Sequence, residues 1–255
     1  MSYKETDCER VVCGNCNDEN TLDFDFTMAF QPIINCQTRE IYGFEALVRG
    51  LNNESAYSII SKVNEENRYM FDQLCRVKAI ALASRLKLDS MLSINFLPNA
   101  VYKPERCIMT TLEAAKKHGF PTENIMFEFT EVEKIEDSAH VKRVIEYYNA
   151  LGFKTAIDDF GSGYAGLGLL ADFQTDIVKI DMELIRHIER DTARQIIVKH
   201  SINMLVELGI RPLAEGIETR EEMQWLKEAG IELMQGYFFA KPGFETLPSV
   251  NFADF

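Results

Sequence analysis

Short apolar segments alternate with longer segments of helical spacing along most of the chain. Eight segments have the length and apolar character of β-strands: FTMAFQPII, IYGFEALV, MLSINF, NIMFEF, FKTAID, DIVKID, IRPLAE and IELMQ. Apolar residues recur with helical spacing in residues 69–88, 104–118, 138–151, 192–208 and 219–229. Glycines follow several of these stretches, as expected where helices end. The alternation predicts a parallel sheet covered by helices.

The first two predicted strands differ from the others because only a few polar residues separate them, in QPIINCQTREIYGFEAL. Such a short connection predicts an antiparallel hairpin. If both strands join the sheet, eight strands close a barrel, and 255 residues suit a (β/α) barrel of about 250. No GxGxxG or phosphate-binding loop follows a strand, which disfavours an open nucleotide-binding sheet. The predicted fold is an α/β, TIM-like (β/α)8 barrel with an irregular antiparallel first hairpin.

Residues 1–24 lack a sustained helix or strand period and are interpreted as a flexible, cysteine-containing appendage to a barrel that comprises residues 25–255. Cys8, Cys13 and Cys16 form a C-x4-C-x2-C pattern that invites a zinc or redox interpretation. Structural zinc sites almost always have four ligands, and a fourth is missing locally. A tail with free thiols is therefore favoured over a metal site.

Composition narrows the possible partners. The chain is 46% hydrophobic and 26% charged, with a formal net charge of −13. This charge argues against binding a nucleic acid polymer through a broad cationic surface. No apolar run approaches the roughly 18 residues of a membrane span, and no signal-peptide pattern is present. A cytoplasmic location is expected.

Polar side chains, most of them acidic or amide, recur at the C-terminal ends of the predicted strands. They are Glu45, Asn95, Glu128, Asp158, Asp159, Lys179, Asp181, Glu215 and Gln235. In a barrel these strand ends meet at one face, where active sites are built. Two carboxylates about 4 Å apart repel by about 4 kcal/mol at an effective dielectric of 20, so a cluster must be protonated or bind cations. Oxygen ligands without histidine or cysteine favour Mg²⁺ or Mn²⁺ over zinc.

Two such cations sharing Asp158 would suit the hydrolysis of a phosphodiester bond. Lys179 lies on an otherwise apolar strand, and the two-residue period places it on the same face as Ile177 and Asp181. A buried lysine there is either part of the reaction machinery or one half of a structural salt bridge.

Seven motifs in order resemble those of EAL domains, a family of bacterial phosphodiesterases, over residues 30–242. They are QP at residue 31, EALVRG at 45, EFTE at 128, DDFGSGYAGLGLL at 158, KID at 179, AEGIE at 214 and QGYFFAKP at 235. The segment INFLPNAVY is similar to a subgroup that also occurs fused to blue-light-sensing domains.

The resemblance implies a role for each matching position. The first metal would be held by Glu45, Asn95, Glu128 and Asp158, and the second by Asp158 and Asp159. Catalytic roles fall to Glu45, to Lys179, which orients the attacking water, and to Glu215, the general base or a metal partner. Substrate-binding positions are Gln31, Leu47, Arg49, Asp181, Glu218 and Gln235. Glu131 matches the anchor of the loop 159–170.

The activity that the resemblance implies is hydrolysis of cyclic di-GMP to linear 5′-pGpG with two Mg²⁺ or Mn²⁺ ions, inhibited by Ca²⁺. A homodimer through the region of the loop 159–170 is also implied. Two alternatives remain: a catalytically inactive EAL domain that acts as a cyclic di-GMP receptor or protein-interaction module, and an unrelated metal-dependent barrel such as an enolising enzyme. The presence of every carboxylate and the lysine favours the enzyme.

Overall fold

A closed barrel of eight strands forms the centre of the protein. The computed structural model describes residues 22–97, 101, 103–129, 138–162 and 167–255. Its strands are β1 (Thr27–Asn35), β2 (Glu40–Arg49), β3 (Met91–Phe96), β4 (Ile125–Phe129), β5 (Lys154–Phe160), β6 (Ile177–Ile180), β7 (Arg211–Ala214), β8 (Leu233–Gln235) and the short β9 (Gly243–Phe244).

The order of the strands confirms the predicted barrel. Strands β2 to β8 pair in sequence order, each parallel to the next. Strand β1 closes the ring because it pairs antiparallel with both β2 and β8. The hairpin of β1 and β2 is irregular, since its register shifts between Ile33 and Ile34. The two-residue β9, which the sequence pattern did not predict, pairs antiparallel with β1 at Ala29 and Phe30.

Helices cover the barrel at all five stretches where the apolar period predicted them. The helices are α1 (Ala56–Ile60), α2 (Arg68–Arg85), α3 (Pro104–Cys107), α4 (Met109–His118), α5 (Ser138–Ala150), α6 (Leu167–Asp172), α7 (Met182–Ile185), α8 (Thr192–Glu207) and α9 (Arg220–Glu228). The predicted helix 104–118 is broken into α3 and α4, and the Cys107 carbonyl at the break accepts a hydrogen bond from Arg76 (3.3 Å). Gly119 caps α4 with a left-handed φ of 63°, as predicted for a glycine at a helix end.

The interior of the barrel is layered because side chains on one face of a strand recur every second residue. One layer is apolar and contains Ile33, Met126, Ala156, Ile177, Leu213 and Leu233. Two positions further towards the C-terminal strand ends, the same faces carry Glu128, Asp158, Lys179, Glu215 and Gln235. The apolar layer thus forms the floor of a polar cavity at the mouth of the barrel.

The chain is already packed against the core before β1. Leu22 and Phe24 lie against it, and the Phe24 ring lies 6.2 Å from the Phe71 ring on α2. The described helices include none with the length and apolar character needed to cross a membrane.

Candidate active site

Lys179 lies at the centre of the polar layer and is 1% exposed. Its ammonium nitrogen Nζ is 2.6 Å from Glu215 Oε1, 2.8 Å from Glu128 Oε2, 3.0 Å from Asp158 Oδ1 and 3.6 Å from Glu45 Oε2. The four carboxylates come from β2, β4, β5 and the end of β7, so the barrel brings together residues that are far apart in sequence.

The cluster contains more acidic groups than its one cation can neutralise. Burial alone would lower the pKa of Lys179, but the carboxylates, Asp158 first, raise it well above its usual value, so the ammonium stays charged. Burial raises the pKa of Glu128 to about 8 even though Lys179 opposes the shift. Burial likewise raises the pKa of Glu215 well above its usual value. A further positive charge nearby would lower the pKa of both carboxyl groups and favour their ionised forms.

The donors around the cluster suit divalent cations. Oxygen atoms of Glu45, Glu128 and Asp158 lie within 4.8 Å of one another, as do those of Asp158, Asp159 and Glu215. Glu128 Oε1 is buried and has no hydrogen-bond partner among the described residues, which is costly for a carboxylate oxygen unless a ligand contacts it. All these donors are hard oxygens, the ligand type that Mg²⁺ and Mn²⁺ prefer. The residues fit a pair of metal sites that share Asp158.

Asp159 reaches the second of these groups through an unusual backbone conformation. Its φ is 56°, in the left-handed region that non-glycine residues seldom occupy. Burial raises the pKa of Asp159 to about 6, and the carboxylates of Asp158 and Asp181 add to this shift. Strain of this kind persists where the surrounding structure holds it, and it is common at functional sites.

Amide side chains hold Glu45 from two sides. Asn95 Nδ2 donates to Glu45 Oε1 (3.0 Å), and Gln235 Nε2 donates to Glu45 Oε2 (2.7 Å). Gln235 Nε2 is also 3.4 Å from Gln31 Oε1, and Gln31 Nε2 donates to the Ala240 carbonyl (3.3 Å). These bonds fix both oxygens of Glu45, so its carboxylate is oriented before any ligand binds.

Close backbone packing joins the loop after β7 to the end of β8. The Ile217 N–H donates to the Gln235 carbonyl (3.2 Å), and the Phe238 N–H donates to the Ile217 carbonyl (3.0 Å). A β-carbon on Gly236 would lie 2.1 Å from the Ile217 carbonyl oxygen, so only glycine fits there. Glycine at position 236 therefore allows the two loops to pack closely, and this packing holds Gln235 next to the carboxylates around Lys179.

Three predicted substrate-binding residues do not belong to the two groups of carboxylates described above. Leu47 and Arg49 are half-buried at the end of β2, and Arg49 Nη1 donates to the Val48 carbonyl (2.7 Å). Glu218 is exposed and accepts a hydrogen bond from Arg186 Nη2 (2.9 Å). Asp181, by contrast, caps α7 by accepting from the Glu183 N–H (2.7 Å). Glu131 and residues 163–166 of the loop 159–170 lie outside the described residues, and the roles of all these side chains stay predictions.

Two residues near the site were missed by the sequence analysis. Arg186 pairs with Glu218, and Glu222 is a fully buried carboxylate that accepts hydrogen bonds from the backbone beside it. Thr219 and Glu222 form a T-x-x-E capping box, a signal that the sequence carries. Nothing in the sequence around Arg186 indicates its partner.

A family model described as the EAL domain matches residues 19–242. The chain belongs to the EAL domain family. The antirepressor BluF of Escherichia coli (strain K12), regulated by blue light and temperature, is 35% identical to this EAL domain over 87% of the chain and 55% of BluF. The probable cyclic di-GMP phosphodiesterase PdeN of the same strain is 26% identical over 85% of the chain and 43% of PdeN. The chain thus spans about half the length of these curated relatives.

Solved structures share the same barrel. A standalone versatile EAL protein from Vibrio cholerae O395, in its c-di-GMP-bound form, is 71% identical with a TM-score of 0.89, over 91% of this chain and 99% of that chain. BlrP1 from Klebsiella pneumoniae, in a calcium and cy-diGMP complex, is 34% identical with a TM-score of 0.83, over 88% of this chain and 57% of that chain. These similarities confirm the predicted fold and family, and the family's use of divalent metals is supported by the BlrP1 complexes with calcium and with manganese.

Proposed function

We propose that this EAL domain hydrolyses one phosphodiester bond of cyclic di-GMP and releases linear 5′-pGpG. The observation that carries the proposal is the buried lysine surrounded by four carboxylates at the mouth of the barrel. An excess of acidic groups at this position is unfavourable unless cations bind there, and bound cations would in turn attract an anionic substrate. Relatives named as probable cyclic di-GMP phosphodiesterases, and structures with this dinucleotide bound, support the choice of substrate.

In this proposal Glu45, Asn95, Glu128 and Asp158 hold one cation, and Asp158 and Asp159 hold a second. When bound, two Mg²⁺ or Mn²⁺ ions would supply Lewis acidity that polarises the phosphoryl oxygens of the substrate. Asn95 and Gln235 hold the Glu45 carboxylate in one orientation, so less reorganisation is needed when the site is filled.

Lys179 and Glu215 act on the attacking water. Lys179 donates a hydrogen bond to the oxygen of the water, and Glu215 accepts a proton from the water. These two roles are compatible with the 2.6 Å contact between Lys179 Nζ and Glu215 Oε1. The oxygen of the water forms a new bond to phosphorus, the bond from phosphorus to the 3′ oxygen breaks, and that oxygen takes up a proton from solvent water, while Glu215 later returns its proton to the solvent. The product carries a 5′ phosphate and a free 3′ hydroxyl. Gln31, Leu47, Arg49, Asp181, Glu218 and Gln235 are proposed as the residues that hold the dinucleotide.

The test is incubation of the protein with cyclic di-GMP and Mn²⁺ in water enriched in oxygen-18, followed by chromatography and mass spectrometry. We expect linear 5′-pGpG with one oxygen-18 in its phosphate. Tight binding of cyclic di-GMP without turnover would instead support the receptor function, which the similarity to an antirepressor keeps as the second candidate. The intact set of four carboxylates and the lysine favours turnover.

A homodimer through the region of the loop 159–170 is a further part of the proposal. Leu167, at the start of α6, is 64% exposed although it is a large apolar residue, which suits a surface that another copy covers. Light scattering after size exclusion should give twice the mass of the chain, and Leu167→Glu should shift the protein towards a monomer. A monomer in the unmodified protein would remove this part of the proposal.

A further inference from the structure

Glu222 is a buried carboxylate outside the cluster around Lys179, and its side chain is 0% exposed. It is the third residue of α9, where a glutamate in a capping box commonly bonds only the N-cap residue. Here Glu222 Oε2 accepts from the N–H of Thr219 (3.1 Å) and also from the N–H of Glu218 (2.9 Å). Glu222 Oε1 accepts from the N–H of His187 (3.0 Å). The carboxylate therefore binds backbone groups outside the capping box as well as the N-cap residue of α9.

The groups that Glu222 joins belong to two different loops. His187 lies in the loop after β6, the strand of Lys179, and has a left-handed φ of 58°. Glu218 and Thr219 lie in the loop after β7, which begins at Glu215. One carboxylate thus fastens the loops that follow neighbouring barrel strands to each other.

Arg186 adds to this junction, the set of bonds by which Glu222 joins the two loops. Its Nη2 donates to Glu218 Oε1 (2.9 Å), and its Nη1 lies 3.8 Å from Glu222 Oε1. Burial would raise the pKa of Glu222, but the three backbone N–H groups and Arg186 outweigh it and hold the pKa below its usual value. Glu222 therefore stays ionised and keeps all its acceptors available.

Glu215 does not depend on this junction. Its N–H donates to the Ile180 carbonyl (3.1 Å) and its side chain contacts Lys179. Glu218, three residues later, has a side chain that is 48% exposed, and the contacts described above hold its backbone and carboxylate. Loss of Glu222 should consequently displace Glu218 more than Glu215.

We propose that Glu222 is a positioning residue that fastens the loop after β7 to the loop after β6 and thereby fixes Glu218 for binding the substrate. This inference rests on the proposed hydrolysis of cyclic di-GMP and on Glu218 as a substrate contact. Loss of Glu222 should affect KM and kcat differently, because Lys179 and Glu215, the residues proposed to act on the water, are held by contacts that do not involve Glu222. Disturbing Glu222 should raise KM and leave kcat nearly unchanged.

The experiment compares Glu222→Gln with two controls on the same helix. Glu221→Gln makes the same change of charge at an exposed neighbour in the first turn. Thr219→Ala weakens the cap of α9 but leaves the Glu222 carboxylate in place, so it reports what a weakened helix start does by itself. At a temperature where all variants are folded, we expect KM for cyclic di-GMP to rise about tenfold in Glu222→Gln, with kcat within about threefold, and both controls within about twofold of the unmodified protein.

A double-mutant cycle with Glu218→Ala tests whether Glu222 acts through Glu218. The double variant should have a KM no higher than that of the worse single variant, because the second change has nothing left to disturb. Independent multiplication of the two effects, or an unchanged KM in Glu222→Gln, would overturn the inference. If Glu222→Gln does not fold, Arg186→Gln tests the same junction at a half-buried side chain. It should raise KM severalfold, and an unchanged KM would count against the inference.

Hydrogen exchange provides a readout that needs no substrate. The amides of Glu218 and His187 should exchange about tenfold faster in Glu222→Gln than in Glu221→Gln, because their acceptor is weakened. Equal exchange rates would contradict the inference. A protein that shows this difference but leaves cyclic di-GMP uncleaved would disprove the proposed function and leave the loop junction in place.

Discussion

Two cationic side chains in this EAL domain are equally buried but differ in the number of carboxylates that surround them. Lys179 and Arg76 are each 1% exposed. Arg76 on α2 pairs with Asp72 one turn earlier (2.8 Å), and it also donates to the Cys107 carbonyl and Thr111 Oγ1. Asp72 uses its other oxygen to accept from the Leu97 N–H (3.1 Å). Lys179 instead contacts four carboxylates.

The difference distinguishes a structural ion pair from a candidate reaction site. Among the described contacts, the Arg76 guanidinium is paired with the Asp72 carboxylate and also donates to neutral acceptors on Cys107 and Thr111, so this charge is balanced without any ligand. At Lys179 the negative charges outnumber the positive one, and Glu128 Oε1 has no partner among the described residues. The first arrangement joins α2 to the end of β3 and to α4, whereas the second needs cations.

The largest effect is expected when one charge is removed from the unbalanced cluster. Glu45→Gln should lower hydrolysis by at least about 10⁴-fold, about 5.5 kcal/mol in activation free energy, because it removes a proposed metal ligand. The melting temperature should stay unchanged or rise, since repulsion within the cluster decreases. Kinetics and calorimetry on this variant and on Glu40→Gln, an exposed position on the same strand, check both statements. Near-normal turnover in Glu45→Gln would exclude this glutamate as a ligand.

The same chemical change in the balanced pair should have the opposite result. Asp72→Asn leaves the Arg76 guanidinium buried without its counter-charge, which should reduce the free energy of unfolding by about 3–5 kcal/mol. Hydrolysis at low temperature should remain within a few-fold of normal. The double variant Asp72→Asn with Arg76→Met should regain much of the stability. A stable Asp72→Asn protein in urea unfolding would show that the two regions do not differ as described.

A smaller effect is expected for the central lysine. Lys179→Ala, assayed with saturating Mn²⁺, should lower kcat by about 10²-fold and change the affinity for cyclic di-GMP less, because an ammonium directed at the attacking water acts mainly in the transition state. Separate measurement of turnover and of ligand binding checks this. If binding weakens while kcat is retained, Lys179 is a phosphate contact and the proposed role is wrong.

The smallest effect is expected from the N-terminal segment, which is far in sequence from both cations. Deletion of residues 1–21 keeps Leu22 and Phe24, the first residues seen to pack on the core. The truncated protein should keep its melting temperature within a few degrees and its kcat/KM within about twofold. An insoluble or inactive product would show that the preceding residues belong to the barrel domain.

Much of the site could be predicted from the sequence because the two-residue period of β-strands determines which side chains point into the barrel. The two-residue period places Glu45, Glu128, Asp158 and Glu215 on the inner faces of their strands, towards or just after the C-terminal ends, and a barrel of parallel strands brings these positions together. The strand of Glu45 was predicted to end near this residue, but β2 continues to Arg49 because it stays paired with β1 as far as Thr27. The antiparallel first hairpin followed from its short connection. These features depend on local pattern and on one topological rule, so the structure agrees with them.

Features that depend on the partner of a side chain could not be predicted in the same way. Asp72 and Arg76 are four residues apart on a helix, a spacing that usually indicates an exposed pair. Their burial depends on α4 and β3, which come later in the chain. Local sequence likewise does not indicate the break between α3 and α4, where Arg76 contacts the Cys107 carbonyl, or the left-handed φ of Asp159.

The most direct test of the central claim is hydrolysis of cyclic di-GMP by protein stripped with a chelator and then supplied with one metal at a time. We expect no activity without metal, recovery with Mg²⁺ and with Mn²⁺, and binding without turnover in Ca²⁺. Calcium prefers oxygen ligands at about 2.3–2.6 Å in six- to eight-fold coordination, against about 2.0–2.1 Å and an octahedron for magnesium, so it should hold the substrate in an unproductive position. Full activity in the stripped protein, or full activity in Ca²⁺, would contradict the claim that the acidic cluster at Lys179 is a site for two catalytic cations.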